Sequence, residues 1–331
     1  ARRAGVDAQV TGVDELLGRI RPRRRIDAVT AVFLPFDAAG RPALDEFARH
    51  LRRTATAGLT PAVNMDTGFG PQLAPAERRA VLGLTREVLG PGARFVAGAQ
   101  PFGEPGGALA GYRASVEAGV AVGAVPIVFQ SELFAGKEGA TVAALYKAIL
   151  SPAPAGLAFE LGPQFAPFGR VYTLETFRAL LALPVLVGLK HSSLSRRLEL
   201  DRLALRDRIR PGFTLYTGND LAIDMVMYGS DYLLGLSTFD PEAFALRDRW
   251  WAEGDARFYE LNDALQALGD AAFRDPIPAY KDSAAVYLRL TGRLTDPRPH
   301  PACPRRPAWE AELLAPLARR IASAVSAVAA S

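Results

Sequence analysis

Short apolar runs alternate with amphipathic stretches from about residue 27 onward. The first run, Ala28-Val29-Thr30-Ala31-Val32-Phe33-Leu34, is rich in β-branched residues and closes at Pro35. Leu44, Phe47, Ala48, Leu51 and Ala55 follow at three- and four-residue spacing, the period of one helix face. Gly58 then supplies a C-terminal stop. The same couple recurs along the chain. Further strands are predicted over 61–65, 95–99, 125–129, 156–160, 184–190, 213–217 and 232–237. Helices are predicted from Pro75 to Gly90 and over 107–119, 139–150, 173–182, 197–208, 219–228 and 240–253. Strands that read as near-continuous apolar runs suit a parallel sheet covered on both faces. An open doubly wound sheet fits the alternation too, but eight similar units favour closure into a (β/α)8 TIM barrel.

After residue 255 the strands cease. Helical periods near 256–272, 278–292 and 308–328 predict a C-terminal helical extension, interrupted by a proline-rich loop from Thr295 to Pro307 that holds His300. The expected organisation is a basic N-terminal leader over 1–26 with a helix at 13–20, a barrel over 27–255 and a helical region over 256–331. A chain of 331 residues accommodates that plan, since a (β/α)8 barrel alone takes roughly 250 residues.

Composition narrows the classes. Hydrophobic residues make up 49% of the chain, enough for a large core. No apolar run reaches the roughly 20 residues of a membrane span, and Ala1-Arg2-Arg3-Ala4-Gly5 leads into no signal-type apolar stretch; no membrane partner and a cytoplasmic location are expected. The basic run Arg21-Pro22-Arg23-Arg24-Arg25 lacks interleaved aromatics, so it predicts a solvated helix end and no nucleic-acid groove. Cys303 is the single cysteine, which excludes an internal disulfide. No His, Asp or Glu grouping has metal-ligand spacing, and neither a metal nor another cofactor is expected. The 39 basic residues include only four lysines, Lys137, Lys147, Lys190 and Lys281. Arginine carries the surface charge here, so a lysine inside an apolar stretch asks for a chemical reason: lysine can lose its proton and arginine cannot.

In such a barrel the chemistry sits at the C-terminal ends of the strands. Lys190 ends the apolar run Val185-Leu186-Val187-Gly188-Leu189-Lys190. Desolvation there can bring an amine from about 10.4 to roughly 7–8, where its neutral form adds to a ketone. The other possibility is a structural lysine paired with Glu160 or Asp66. Asp66 and Glu160 are the carboxylates expected at the mouth as general acid or base. Thr67 and Gly68 would offer a hydroxyl and backbone N–H groups to a substrate carboxylate, with Gly235 and Ser237 lining the opposite wall. His191 should point away from Lys190 by strand alternation, while His50 is expected on a helix surface.

Val187-Gly188-Leu189-Lys190-His191-Ser192-Ser193 resembles the imine-forming segment of the dihydrodipicolinate synthase/N-acetylneuraminate lyase family. Four other segments resemble that family in order and spacing: Leu34-Pro35-Phe36-Asp37, Met65-Asp66-Thr67-Gly68-Phe69, Thr217-Gly218-Asn219-Asp220, and Gly235-Leu236-Ser237 with Pro241. Together they cover about residues 28–255. The chain also departs from the pattern. Asp66 stands where the family's first loop hydroxyl falls, and Phe159 stands at or near the strand-five tyrosine that relays protons and holds substrate. No tyrosine is visible in Ile127-Val128-Phe129-Gln130, and Arg170 is only a loose match for the arginine that receives a second carboxylate.

The resemblance implies a divergent Schiff-base aldolase or lyase: Lys190 attacks the carbonyl of a pyruvate-like 2-oxo acid, and a carbon–carbon bond is cleaved or, with an aldehyde, formed. It also implies a homodimer or homotetramer. Three alternatives stay open: a keto-deoxy sugar acid dehydratase using the same imine, a non-catalytic barrel that binds a small acid through the charge of Lys190, and a metal-assisted lyase.

Overall fold

The computed structural model describes residues 13–104 and 106–329; residues 1–12 of the expected leader lie outside the described residues. Eight parallel strands close into a barrel in sequence order, with the last pairing to the first. They are β1 (Ala28–Ala31), β2 (Thr60–Val63), β3 (Val96–Ala99), β4 (Val125–Val128), β5 (Gly156–Leu161), β6 (Leu186–Ser192), β7 (Thr214–Thr217) and β8 (Asp231–Leu234). Several are shorter than their apolar runs. Val32, Phe33 and Leu34 stay buried after β1 ends, because they belong to the same apolar cluster as Phe244, Leu265 and Tyr287 of the later helices.

Helix α1 (Val13–Leu17) lies in the leader, and α2 (Leu44–Thr56), α3 (Pro75–Leu89), α4 (Gly107–Ala121), α5 (Gly139–Ile149), α6 (Leu174–Leu181), α7 (Arg196–Ile209) and α8 (Pro241–Glu253) clothe the barrel. After β7 the expected helix over 219–228 is instead a 3-10 segment, Ile223–Tyr228. The extension adds α9 (Arg257–Ala272), α10 (Tyr280–Leu290) and α11 (Glu310–Ala329). Its Leu261, Leu265, Leu268, Tyr287, Leu314 and Ile321 share one buried cluster with Phe244 and Trp250 of α8. Among the described residues no helix is long and apolar enough to cross a membrane.

The lumen is packed. Val29, Ala31, Ala62, Val96, Ile127, Leu157, Tyr216 and Leu233 belong to its buried cluster, topped by Phe129 and Phe159. Gly188 of β6 carries no side chain into the lumen: a Cβ there would meet the Thr214 carbonyl at 2.8 Å and Leu157 and Tyr216 at 3.1 Å each. The missing side chain leaves room for both, one layer beneath Lys190.

His50 departs from its expected surface position. It lies on the inner face of α2, fully buried, with Nε2 2.7 Å from the Thr238 hydroxyl. Burial and the cations Arg53 and Arg293 draw it down to about 3. The Thr238 bond serves Nε2 alone, and Nδ1 is buried without a hydrogen-bond partner.

Candidate active site

Register decides which strand-end residues face one another. Phe159, Lys190 and Tyr216 are paired neighbours across β5, β6 and β7, so all three face the lumen. The Lys190 ammonium lies over the Phe159 ring, 4.5 Å from its centroid. Phe159 in turn meets Phe129 edge-on, with centroids 5.0 Å apart. Gly218 presses on the other side: a Cβ there would lie 2.6 Å from Cε of Lys190. Among the described contacts Lys190 has neither an ion pair nor a hydrogen bond. Burial draws its amine down to about 8, against the opposing pull of Asp220 and Asp66.

The same alternation turns Glu160 the other way, a correction to its expected place at the mouth. Glu160 pairs with His191 on the outer face, where His191 Nδ1 lies 2.5 Å away and Arg202 and the Tyr172 N–H donate to its carboxylate. Burial would raise this carboxyl, but Arg202 and His191 hold it down at about 2. Adjacent residues on a strand cannot both enter the lumen. Phe159 does, so Glu160 holds β5, β6 and α7 together.

Asp66 is at the mouth, but its partner is a different lysine. Lys281, at the start of α10, places Nζ 3.0 Å from both carboxylate oxygens. Burial opposes the charge on Asp66, yet Lys281, a bond from Tyr280 and the charge of Lys190 keep the carboxyl below its ordinary range. The structural pairing envisaged for Lys190 is thus taken by Lys281.

Tyr280 completes this corner. Its hydroxyl donates to Asp66 Oδ2 at 3.0 Å. Its single proton being committed there, the bond of 2.8 Å to Thr67 is donated by Thr67. Burial and the neighbouring carboxylates hold the Tyr280 hydroxyl protonated far above its usual range. The ring stacks on Phe273 at 4.3 Å and rests against Gly235, where a Cβ would meet a ring carbon and the Thr67 hydroxyl at 3.1 Å each. Gly235 is therefore a wall of the site, because it has no side chain.

Two expected contacts do not form as envisaged. The Gly68 N–H closes a turn onto the Met65 carbonyl at 3.1 Å, so it is already engaged and does not point at a ligand. Ser237 is fully buried, its hydroxyl bonded to Thr30 and the Leu234 carbonyl in the seam of β1 and β8. Arg170 reaches the Lys137 carbonyl and Glu138, not the mouth. Among the described residues no group of three or more His, Cys, Asp or Glu side chains is placed to hold a metal ion.

Asp220 ends the Thr217-Gly218-Asn219-Asp220 segment, where the sequence assigned it no role. It is buried, accepts the Leu236 N–H at 2.7 Å, and burial pushes it up to about 6 against the pull of Lys190. Tyr280 and Lys281 were also missed. The one signal for them was composition, since Lys281 is among the four lysines of an arginine-using chain. The site therefore gathers a partly neutral amine, a carboxyl poised near neutrality and a hydroxyl pair joined to a charge-balanced carboxylate. Such a set can transfer protons around a carbonyl adduct.

No protein-family model matches the chain, and no curated protein matches it. Solved structures do. A monomeric dihydrodipicolinate synthase variant superposes with a TM-score of 0.76 at 20% identity, over 91% of this chain and 97% of the other. Dihydrodipicolinate synthase from Thermotoga maritima gives a TM-score of 0.75 at 18% identity, over 90% and 99%. YagE, an E. coli prophage protein of the dihydrodipicolinic acid synthase family in complex with pyruvate, gives 0.76 at 17% identity, over 89% and 98%. The fold is thus a (β/α)8 barrel of the form seen in dihydrodipicolinate synthases.

Proposed function

We propose that the protein is a Schiff-base lyase that condenses Lys190 with a pyruvate-like 2-oxo acid. One observation carries this reading: Lys190 is buried on an aromatic ring with no bonded anion, so its amine is drawn to about 8. A lysine that served only as a charge would gain from a close carboxylate, and here that carboxylate binds Lys281. The pyruvate complex of YagE is consistent with the same substrate class.

Neutral Lys190 attacks C2 of the 2-oxo acid, and the carbinolamine loses water to form the imine. The hydroxyl leaves as water with a proton from Asp220, whose carboxyl near 6 exchanges protons at neutral pH more readily than Asp66 does. Tyr280 and Thr67 move protons along their shared bond without ionising. In this chain Tyr280 stands in for the hydroxyl that Phe159 lacks. Thr67, whose proton is committed to Tyr280, is not free to donate to the substrate carboxylate as the sequence suggested. The imine draws electrons from the neighbouring carbon–carbon bond, which permits cleavage or, with an aldehyde, formation. Incubation with pyruvate and sodium borohydride tests the reading: the reduced adduct should add its mass to the wild type and not to Lys190→Ala.

A further inference from the structure

A cavity of about 330 Å³ opens beside the site on the side of β2 to β5. Phe102, Phe129, Phe165, Phe168 and Leu161 dominate its lining, and the Phe102 and Phe168 rings lie 6.1 Å apart. Its inner end is Phe129, in edge contact with the Phe159 ring that carries the Lys190 amine. Asp66 lies on its rim. No arginine or lysine lines it. The nearby cations are committed elsewhere: Arg170 to Lys137 and Glu138, Arg79 to Glu104, Lys281 to Asp66.

We propose that this cavity seats the second reactant, and that this reactant is an apolar, aromatic aldehyde (or, in the cleavage direction, the aromatic end of a 4-hydroxy-2-oxo acid). The proposal rests on the imine reading above and names the acceptor for it. A cavity of roughly 150 Å³ lined by aliphatic and aromatic side chains accepts benzene, so this one has room for a substituted ring. A polyhydroxylated aldehyde would surrender water from each hydroxyl with almost no partner to replace it. An acceptor bearing a carboxylate would find no free cation there. An aromatic ring instead buries its surface against four others in edge and offset contacts. Lys190 and Phe159 do not line the cavity, so the proposal requires the carbonyl carbon to reach past Phe129 to the Lys190 adduct.

The step balances without oxidant or reductant. The pyruvate imine loses a methyl proton to become an enamine, whose terminal carbon forms the new bond to the aldehyde carbon. The aldehyde oxygen takes a proton and becomes a hydroxyl. Water then hydrolyses the imine, restoring the Lys190 amine and releasing the 4-hydroxy-2-oxo acid.

The test gives the wild-type enzyme pyruvate with benzaldehyde, glyceraldehyde or succinic semialdehyde in parallel, alongside borohydride trapping of pyruvate alone. Benzaldehyde should show a kcat/KM at least tenfold above either polar aldehyde. In Phe102→Ala the benzaldehyde-to-glyceraldehyde ratio should fall about tenfold, a ratio that does not depend on the fraction of folded enzyme. Pyruvate trapped normally while benzaldehyde reacts no better than glyceraldehyde, or not at all, overturns the apolar acceptor and leaves the imine standing. Absence of trapping overturns the imine reading, and the acceptor falls with it.

Discussion

The Tyr280 hydroxyl lies 2.8 Å from that of Thr67, joining the first turn of α10 to the loop after β2. The bond brings the C-terminal extension into the barrel mouth, where the neighbouring Lys281 neutralises Asp66. The extension is therefore part of the site as well as of the packing.

If Tyr280 carries protons, Tyr280→Phe should lower turnover by roughly 10²-fold or more, the range for losing a general acid–base group. The ring stack on Phe273 is kept, so the loss in stability should be about 1 kcal/mol, the net worth of a hydrogen bond. Steady-state rates with thermal unfolding separate the two. Unchanged turnover would reduce Tyr280 to a packing residue.

Asp220 and Lys190 favour each other's charged forms: the carboxylate holds the proton on the amine, and the ammonium loosens the proton on the carboxyl. The Asp220 charge raises the Lys190 pKa against burial, so Asp220→Asn should let the amine fall further below about 8. The rate of pyruvate trapping needs the neutral amine and rises with pH through its pKa. In Asp220→Asn that rising limb should move to lower pH. A limb that stays in place would show that the two groups are not coupled.

Glu160 is expected to act on stability. Its carboxyl is held at about 2 in the fold by Arg202 and His191 against burial, well below the ordinary value of about 4.3. The stabilisation is full above the unfolded value and is lost as pH falls through about 2. Glu160→Gln should cost about 3–5 kcal/mol near neutrality, since Arg202 is left buried without its anion, and the difference from wild type should shrink in acid. Chemical denaturation at several pH values reads both.

The barrel was legible because parallel strands covered on both faces spell continuous apolar runs, and all eight runs overlap a strand. Their ends were not, because residues such as Val32 and Phe33 remain buried beyond the ladder. The buried, lumenal placement of Lys190 was legible from its position at the end of such a run. Glu160 was misplaced because its position along the strand was read without its side, although Phe159 facing inward already turned Glu160 outward. Tyr280 meets Thr67 from far along the chain, and the helical period around it says only that a helix is there. Asp220 stood in a segment already noted, but its tuning comes from burial and from the Leu236 N–H, neither of which a sequence displays.

The most direct measurement is peptide-resolved mass spectrometry of the enzyme after reduction with borohydride in the presence of pyruvate. Two buried lysines, Lys190 and Lys281, stand at the mouth, and only Lys281 is bonded to a carboxylate. The account predicts the reduced pyruvate adduct on Lys190 alone, in a single equivalent, and none in Lys190→Ala. An adduct on Lys281, or no adduct on either lysine, would contradict it.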